Sequence, residues 1–276
     1  MDQNSSWHEP LEFRGRHIGV IGGGVLGRRV GKIKINITPE LSLMRSATCW
    51  ACAGYNVYIY DPDAAQCREA VEYFEGNKTI YQQYVSATPG QVLLAVDLTQ
   101  AVSNAWYVVE CVPENLDIKQ KVFSDIESLC ASDCILSTNS SSYRSSTISE
   151  KTGHTVRNRI LNTHYFMPPH VRIVELMTNG HTAPNIFPFL KKRMEEAGLS
   201  VYIAKKESTG LIHNRVWAAI KRELLMVVSE GVADPKTADD LFFEAIVKPG
   251  TRPFVAMDRM FYMFHTFTFE DGTLML

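Results

Sequence analysis

The sequence predicts an α/β fold, a Rossmann-like doubly wound parallel sheet followed by a smaller, truncated all-helical domain. Short apolar runs of strand length alternate with helical segments along the first two-thirds of the chain. A glycine-rich turn directly follows the first of these runs. After Lys205 the alternation is replaced by apolar residues at helical spacing. We therefore divide the chain into an α/β domain at 1–206 and a helical domain at 207–276.

The strands and helices are placed by these patterns in chain order. We expect strands at His17–Ile21, Asn56–Tyr60, Trp106–Glu110, Cys134–Thr138, Ile160–Tyr165, Ile173–Met177 and Ser200–Ala204. Helices are expected at Asp63–Tyr84, Glu114–Cys130, Ala183–Ala197, Glu207–Glu230 and Pro235–Ile246.

The composition is that of a globular protein. The chain has 276 residues, of which 45% are hydrophobic and 21% charged, so it can bury a substantial core. Its formal net charge is only -2, so neither nucleic acid nor an acidic membrane is an expected partner. We see no secretory signal and no stretch apolar enough to span a membrane, and we expect a cytoplasmic protein.

Two of the six cysteines, Cys49 and Cys52, form a C-x-x-C pair. A zinc site needs about four ligands, and neither a second such pair nor a spaced histidine pair accompanies them. We therefore expect reduced cysteines, half-buried on a helix, and no metal site.

The glycine-rich turn has the spacing G-x-G-x-x-G at Gly22, Gly24 and Gly27. Such glycines permit a tight turn, close approach of a pyrophosphate to the backbone, and close packing of helix on strand. The following helix start offers free N–H groups to the phosphates. Asp61 ends the second strand. A carboxylate at that place accepts hydrogen bonds from the ribose hydroxyls and repels a 2′-phosphate. The cofactor predicted from these residues is NAD.

More residues than usual separate the glycine turn from Asp61 in the sequence. An acidic residue is expected about 20 residues past the turn, and Gly31 and Pro39 interrupt the helix between them. We interpret roughly 31–47 as an insertion, a retained intron being one hypothesis for its origin. For the helix of the Rossmann unit to exist, this segment must loop out, or the helix must stop early and restart near Ser46.

Four further segments occur in the order of a known family. They are Val108–Lys119, Thr138–Ser142, Asn162–Pro169 with Val174–Leu176, and Ser208–Arg215. Together they resemble the 3-hydroxyacyl-CoA dehydrogenases, over about residues 13–258 outside the insertion. The resemblance implies a hydride transfer between NAD and the 3-hydroxy group of a hydroxyacyl-CoA or a small hydroxy acid.

The resemblance also implies roles for single residues. His164 is the base that takes the hydroxyl proton while hydride leaves the carbon. Glu175 fixes the imidazole tautomer and stabilises its cation. Ser141 and Asn214 match positions that hydrogen-bond the substrate oxygen.

Cofactor and partners follow from the same resemblance. Glu114 and Lys119 match positions on the cofactor side of the family's site. The expected partners are NAD and a small-molecule substrate, and the family's helical domain makes a homodimer a further expectation.

The chain departs from the family pattern at three places. Met167 stands where an asparagine is usual, and the interval from His164 to Glu175 is one residue shorter. The similarity fades after Arg259, where the tail becomes aromatic. Pro168-Pro169 is similar to the L-gulonate 3-dehydrogenase and lambda-crystallin branch, so a sugar-acid dehydrogenase is one alternative. A non-catalytic NAD-binding relative and a structural, crystallin-like use of the fold are the others.

Overall fold

The central feature of the computed structural model, which describes residues 7–22, 39–250 and 252–253, is an eight-stranded sheet. Its strands are His17–Ile21 (β1), Val57–Tyr60 (β2), Val92–Leu94 (β3), Ala105–Glu110 (β4), Ile135–Thr138 (β5), Ile160–Met167 (β6), Val171–Thr178 (β7) and Ser200–Ala204 (β8). The spatial order is β3-β2-β1-β4-β5-β6-β7-β8. The predicted fold class is confirmed.

The central strands are apolar along their whole length because the sheet is covered on both faces. Every residue of β1, β4 and β5 is buried. One face packs a cluster that includes Trp50 and Trp106, whose rings meet edge to face at 5.7 Å. The other face packs a cluster that includes Val108 and Phe123. Such two-sided burial is the reason that continuous apolar runs could be recognised as strands.

The helices begin where side chains can satisfy their free N–H groups. Asp63, Asp97 and Asn115 accept backbone hydrogen bonds at the starts of the second, third and fourth helices. The helices are Pro39–Cys52 (α1), Ala64–Gln82 (α2), Leu98–Val102 (α3), Leu116–Glu127 (α4), Ser145–Ile148 (α5), His154–Arg157 (α6), Ile186–Glu196 (α7), Ile212–Ser229 (α8) and Pro235–Phe242 (α9). A π-helical turn, Phe243–Val247, continues α9.

One strand pair corrects the expectation of a parallel sheet. β6 and β7 run antiparallel, whereas the other neighbouring strands of the described sheet are parallel. Only Pro168–His170 connect β6 to β7. A parallel crossover needs about a dozen residues or more, so this short connection permits a hairpin only.

The first helix also differs from the expectation. α1 begins at Pro39, seven positions before Ser46, where one of the two alternatives placed a restart, and proline is well tolerated in a first turn. Residues 39–47 of the interpreted insertion are therefore helical, and 23–38 lie outside the described residues. Cys49 and Cys52 are free thiols on α1 and are fully buried rather than half-buried.

The residues group by their contacts into two units, Met1–Asn214 and Arg215–Leu276. The first turn of α8 thus groups with the sheet, and the proposed domain division at residue 206 stays a prediction. In the second unit, Asp234 caps α9 by accepting a hydrogen bond from the Thr237 amide. The aromatic tail predicted after Arg259 lies outside the described residues.

Candidate functional site

The carboxyl ends of β1, β2, β4 and β5 lie along one edge of the sheet because these strands are parallel. The chain leaves β1 for β2 on one side and returns to β4 on the other. In open α/β sheets a ligand crevice forms where the strand order reverses in this way. The crevice is therefore expected beside the residues that follow β1 and β4.

Gly22 and Asp61 meet at this edge. The Gly22 amide donates to the carbonyl of Tyr60 at 2.9 Å. A Cβ on Gly22 would overlap Oδ2 of Asp61 and would lie 2.6 Å from Cδ1 of Leu43. Asp61 is nearly buried, and its Oδ1 accepts the Asp63 amide at 2.8 Å. Glycine is required here because the carboxylate predicted for the ribose lies against the turn. Gly24 and Gly27 lie outside the described residues.

A buried ion pair follows β4. Lys119 Nζ lies 2.9 Å from Glu110 Oε1 and 3.3 Å from Glu114 Oε2. Glu110 also accepts the Val112 amide and the Thr138 hydroxyl, each at 2.6 Å. Burial lowers the pKa of Lys119, but the two carboxylates outweigh it and raise that pKa above its ordinary value. The ammonium therefore stays charged and joins the loop after β4 to α4.

Glu110 was missed by the sequence reasoning. Its side chain is fully buried, and it is the last residue of the otherwise apolar strand β4. That position is the signal that could have found it, because a carboxylate in such a place needs a buried partner. The predicted Lys119 is that partner.

Glu114 connects the loop after β4 to the serine run after β5. Its Oε1 accepts the Ser140 hydroxyl and, at 3.0 Å, the Ser142 amide. Ser140 is buried and fully engaged, whereas Ser141 is half-buried, with its Oγ 3.4 Å from that of Ser142. Accessibility thus rises along the run from Ser140 to the exposed Ser142, and the assignment of the substrate contact to Ser141 stays a prediction.

The structure brings Asn214 and Ser141 together. Nδ2 of Asn214, in the first turn of α8, donates to the backbone carbonyl of Ser141 at 3.2 Å. The two predicted oxygen-binding residues therefore lie side by side.

His164 and Glu175 are direct partners in the β6–β7 hairpin, so their side chains leave the same face of the sheet. Their side chains are not hydrogen-bonded to each other. Glu175 instead accepts the amides of Ile212 at 2.7 Å and His213 at 3.2 Å, and so caps α8. Nδ1 of His164 is buried and has no hydrogen-bond partner among the described residues. The predicted His164–Glu175 pair stays a prediction.

The surroundings of His164 favour its neutral form. Burial, and to a smaller extent the nearby His213, lower its pKa to about 4, whereas Glu114 acts in the opposite direction. Phe166 lies between the two histidines, with ring centroids 5.2 Å from His164 and 4.9 Å from His213. His213 was missed because its place beside Phe166 and His164 depends on contacts between residues far apart in the sequence. His164 is accordingly uncharged at neutral pH.

Comparison with known proteins decides the family. Residues 17–208 match the model of the NAD-binding domain of 3-hydroxyacyl-CoA dehydrogenase. The chain belongs to the 3-hydroxyacyl-CoA dehydrogenase family. This family membership covers most of the chain and includes every described residue predicted for the site except Asn214.

Two curated relatives and one solved structure show where the chain stands in the dehydrogenase family. The chain is 66% identical over 102 residues to the 3-hydroxyacyl-CoA dehydrogenase-like protein LAM1 of Cochliobolus heterostrophus, over 37% of this chain and 22% of the relative. It is 26% identical over 237 residues to the human lambda-crystallin homolog, over 82% of this chain and 68% of the relative. The chain thus spans about a fifth of the LAM1 protein.

The solved structure is that of 5-formyl-3-hydroxy-2-methylpyridine 4-carboxylic acid 5-dehydrogenase, described as an NAD⁺-dependent dismutase. It superposes with a TM-score of 0.68 and 26% identity, covering 85% of this chain and 72% of that one. These likenesses support the predicted family, including its lambda-crystallin branch.

NAD is the cofactor of this dehydrogenase family's domain, and the described residues fit it. The Asp61 carboxylate ends β2 against the side-chain-free face of Gly22, where ribose hydroxyls would meet it. The described edge thus offers the acceptor that an NAD ribose needs. No helix in the described ranges is long and apolar enough to cross a membrane.

Proposed function

We propose that the chain is an NAD-dependent oxidoreductase that transfers a hydride between NAD and the 3-hydroxy group of a small hydroxy acid or hydroxyacyl-CoA. The observation that carries the proposal is His164, a half-buried imidazole whose buried Nδ1 has no hydrogen-bond partner in the described part of the chain. A buried polar atom without a partner costs free energy, and binding sites are places where such a cost is tolerated.

His164 acts as the base in this proposal. Because burial holds its pKa near 4, its imidazole is neutral at physiological pH and can accept the hydroxyl proton. The last pair between β5 and β6 joins Thr138 to Asn162. His164 comes two residues later on β6, so β5 does not pair with the strand at that position. When bound, NAD supplies the acceptor for the hydride.

Ser141 and Asn214 hold the substrate oxygen in this proposal. They lie together after β5 and at the start of α8, and their side chains can donate to an oxygen on which negative charge develops. Glu114 and Lys119 hold the two loops that frame this position.

Glu175 positions His164 when substrate is bound. A carboxylate directly across the hairpin can reach the imidazole by a rotamer change and would raise its pKa. In that rotamer, one carboxylate oxygen of Glu175 no longer accepts a hydrogen bond from the amides of Ile212 and His213. The start of α8 is therefore coupled to the basicity of His164.

A small hydroxy acid is the substrate class that we favour. The solved relative is named for a pyridine carboxylic acid. The Pro168-Pro169 pair, which is similar to the L-gulonate 3-dehydrogenase branch, forms the β6–β7 turn. A sugar acid is therefore included among the proposed substrates.

A second candidate, a non-catalytic NAD-binding relative, is favoured by the engagement of Glu175 with α8. With Glu175 so occupied, His164 is a weak base. The two candidates differ in turnover but not in cofactor binding.

His164→Ala separates these candidates. We expect turnover of a 3-hydroxy acid to fall by about 10²- to 10⁴-fold, the usual contribution of a general base. NADH affinity stays unchanged. The matched control is His170→Ala, because His170 is exposed in the β6–β7 turn and lies outside the predicted site. The pH dependence of kcat/KM reports the free enzyme, so its acid limb is expected near pH 4.

The non-catalytic candidate predicts a different result. The wild-type chain would then bind NADH but turn over no hydroxy acid or hydroxyacyl-CoA above the rate of His164→Ala. That result would overturn the enzymatic proposal and leave the cofactor assignment intact.

A further inference from the structure

Two cysteines and an arginine meet at the turn between α4 and β5, at the opposite end of β5 from the candidate site. Cys130 and Cys134 lie four positions apart in this turn, near enough for their thiols to interact, and Sγ of Cys134 donates to the carbonyl of Ile135 at 3.5 Å. Nη1 of Arg159 donates to Sγ of Cys130 at 3.4 Å. Its nearest other acceptors are the carbonyls of Ala131 at 3.1 Å and Cys134 at 2.6 Å. The guanidinium is thus fixed beside the two thiols.

The two thiols differ in exposure and acidity. Cys130 is partly exposed, whereas Cys134 is fully buried. The neighbouring Cys134 thiol and the charge of Arg159 lower the pKa of Cys130, whereas burial raises it. Burial raises the pKa of Cys134. A partly exposed thiolate beside a buried thiol is the arrangement in which a first cysteine reacts and a second resolves.

The other charges at this turn are already paired. The Asp133 carboxylate accepts hydrogen bonds from both terminal nitrogens of Arg16, at 2.7 and 2.9 Å. Its carboxylate therefore does not compete with Cys130 for Arg159. The four other cysteines, Cys49, Cys52, Cys67 and Cys111, all have their pKa raised by burial, so Cys130 stands apart from them.

We propose that Cys130 and Cys134 form a redox-active dithiol that a hydroperoxide oxidises to a disulfide. The Cys130 thiolate attacks a peroxide oxygen and breaks the O–O bond, which gives a sulfenic acid and hydroxide. Cys134 then loses its proton to that hydroxide, and its sulfur attacks Sγ of Cys130 and displaces a second hydroxide. The two thiols lose two electrons and two protons, and hydrogen peroxide becomes two waters.

Several contacts that hold this turn do not involve the two thiols. Arg159 keeps its two carbonyl acceptors after the thiolate is lost. Asp133 remains held by Arg16 and by Trp7, whose indole donates to its carbonyl at 2.8 Å. Reduction of the disulfide would therefore restore the starting arrangement.

The test oxidises the full chain with a slight excess of hydrogen peroxide at pH 6.5. We expect the intact mass to fall by about two daltons, as a disulfide requires. Proteolysis before Asp133 separates the two cysteines, so their peptides remain together only when they are linked. In Cys134→Ser the reaction stops at the sulfenic acid, which dimedone captures on Cys130.

Cys52→Ser is the matched control. The Cys52 thiol also lies near a cation, Lys78, yet burial raises its pKa to about 11. We expect this variant to form the disulfide like the wild type. We also expect iodoacetamide to alkylate Cys130 at least about five times faster than Cys52 at pH 6.5.

Two results would overturn the proposal. One is an oxidised wild-type chain whose Cys130 and Cys134 peptides separate after cleavage before Asp133. The other is alkylation of Cys130 no faster than that of Cys52. Both use the wild-type chain, so they decide the matter even if Cys134→Ser does not fold.

Discussion

Gly22 shows how a single residue meets a packing requirement and a functional requirement at once. It directly follows β1, and the space that its side chain would fill is taken by Asp61 and Leu43. A larger residue would push the Asp61 carboxylate out of the position in which it would meet a ribose. The same close approach explains why the glycine turn and the acidic residue could be predicted together.

Gly22→Ala is expected to lower the free energy of unfolding by about 1–3 kcal/mol, the usual cost of overpacking. The measurement is the urea midpoint of unfolding. The matched control is Gly76→Ala within α2, where an added Cβ meets nothing within 4 Å. There the substitution should raise stability by about 0.5–1 kcal/mol, because alanine favours the helix. Equal stability of Gly22→Ala and the wild type would contradict the packing argument.

The sequence located residues whose roles depend on local motifs and missed those whose roles depend on distant contacts. Ser141 and Asn214 were predicted, and the structure brings them together. Glu110 was missed because its role depends on the ion pair with Lys119, which lies nine positions away in the sequence. The cap that Glu175 gives α8 joins residues 37 positions apart, so no local pattern could indicate it.

The start of α8 is the element that the structure adds to the account of the site. Its first turn supplies Asn214 to the site and two amides to Glu175. A carboxylate at a helix N-terminus is stabilised both by hydrogen bonds and by the helix dipole. The geometry of this turn therefore depends on a residue of β7.

Glu175→Gln is expected to loosen the first turn of α8. The amide side chain keeps one acceptor but loses the charge, at a cost of about 1–2 kcal/mol. Hydrogen exchange at the amides of Ile212 and His213 should accelerate accordingly. Asp234→Asn is the control, because Asp234 caps α9 from an exposed position and asparagine caps equally well. Unchanged exchange at both amides would show that Glu175 does not hold this turn.

Some elements have bounds equal or close to those predicted, whereas others were not expected. β1 and β8 have the predicted bounds, and α2 and α7 differ by only a few residues. β3 and α3, of three and five residues, were not expected, since too few residues carry a period in so short a run. The antiparallel orientation of β6 and β7 was not predicted. It follows from the short connection between the two strands and not from the residues within them.

At the scale of the whole molecule, strand order brings the predicted residues to one edge. Gly22, Asp61, Glu114 and Ser141 all follow carboxyl ends of neighbouring parallel strands. A doubly wound sheet places its ligand there. The alternation of strands and helices predicts the doubly wound sheet, whereas the residues at its edge were predicted from the glycine motif and the family resemblance. The sequence could not predict how the interpreted insertion is accommodated, because α1 begins inside that insertion.

The most direct test of the account is a thermal-shift titration with NADH, with NADPH as the control. At about 100 times its Kd, NADH should add about 2.7 kcal/mol, which for a chain of this size raises Tm by about 5–10 °C. NADPH at the same concentration should give little shift, because the Asp61 carboxylate repels its 2′-phosphate. An unchanged Tm with both nucleotides, in a folded sample, would contradict the claim that this edge of the sheet binds NAD.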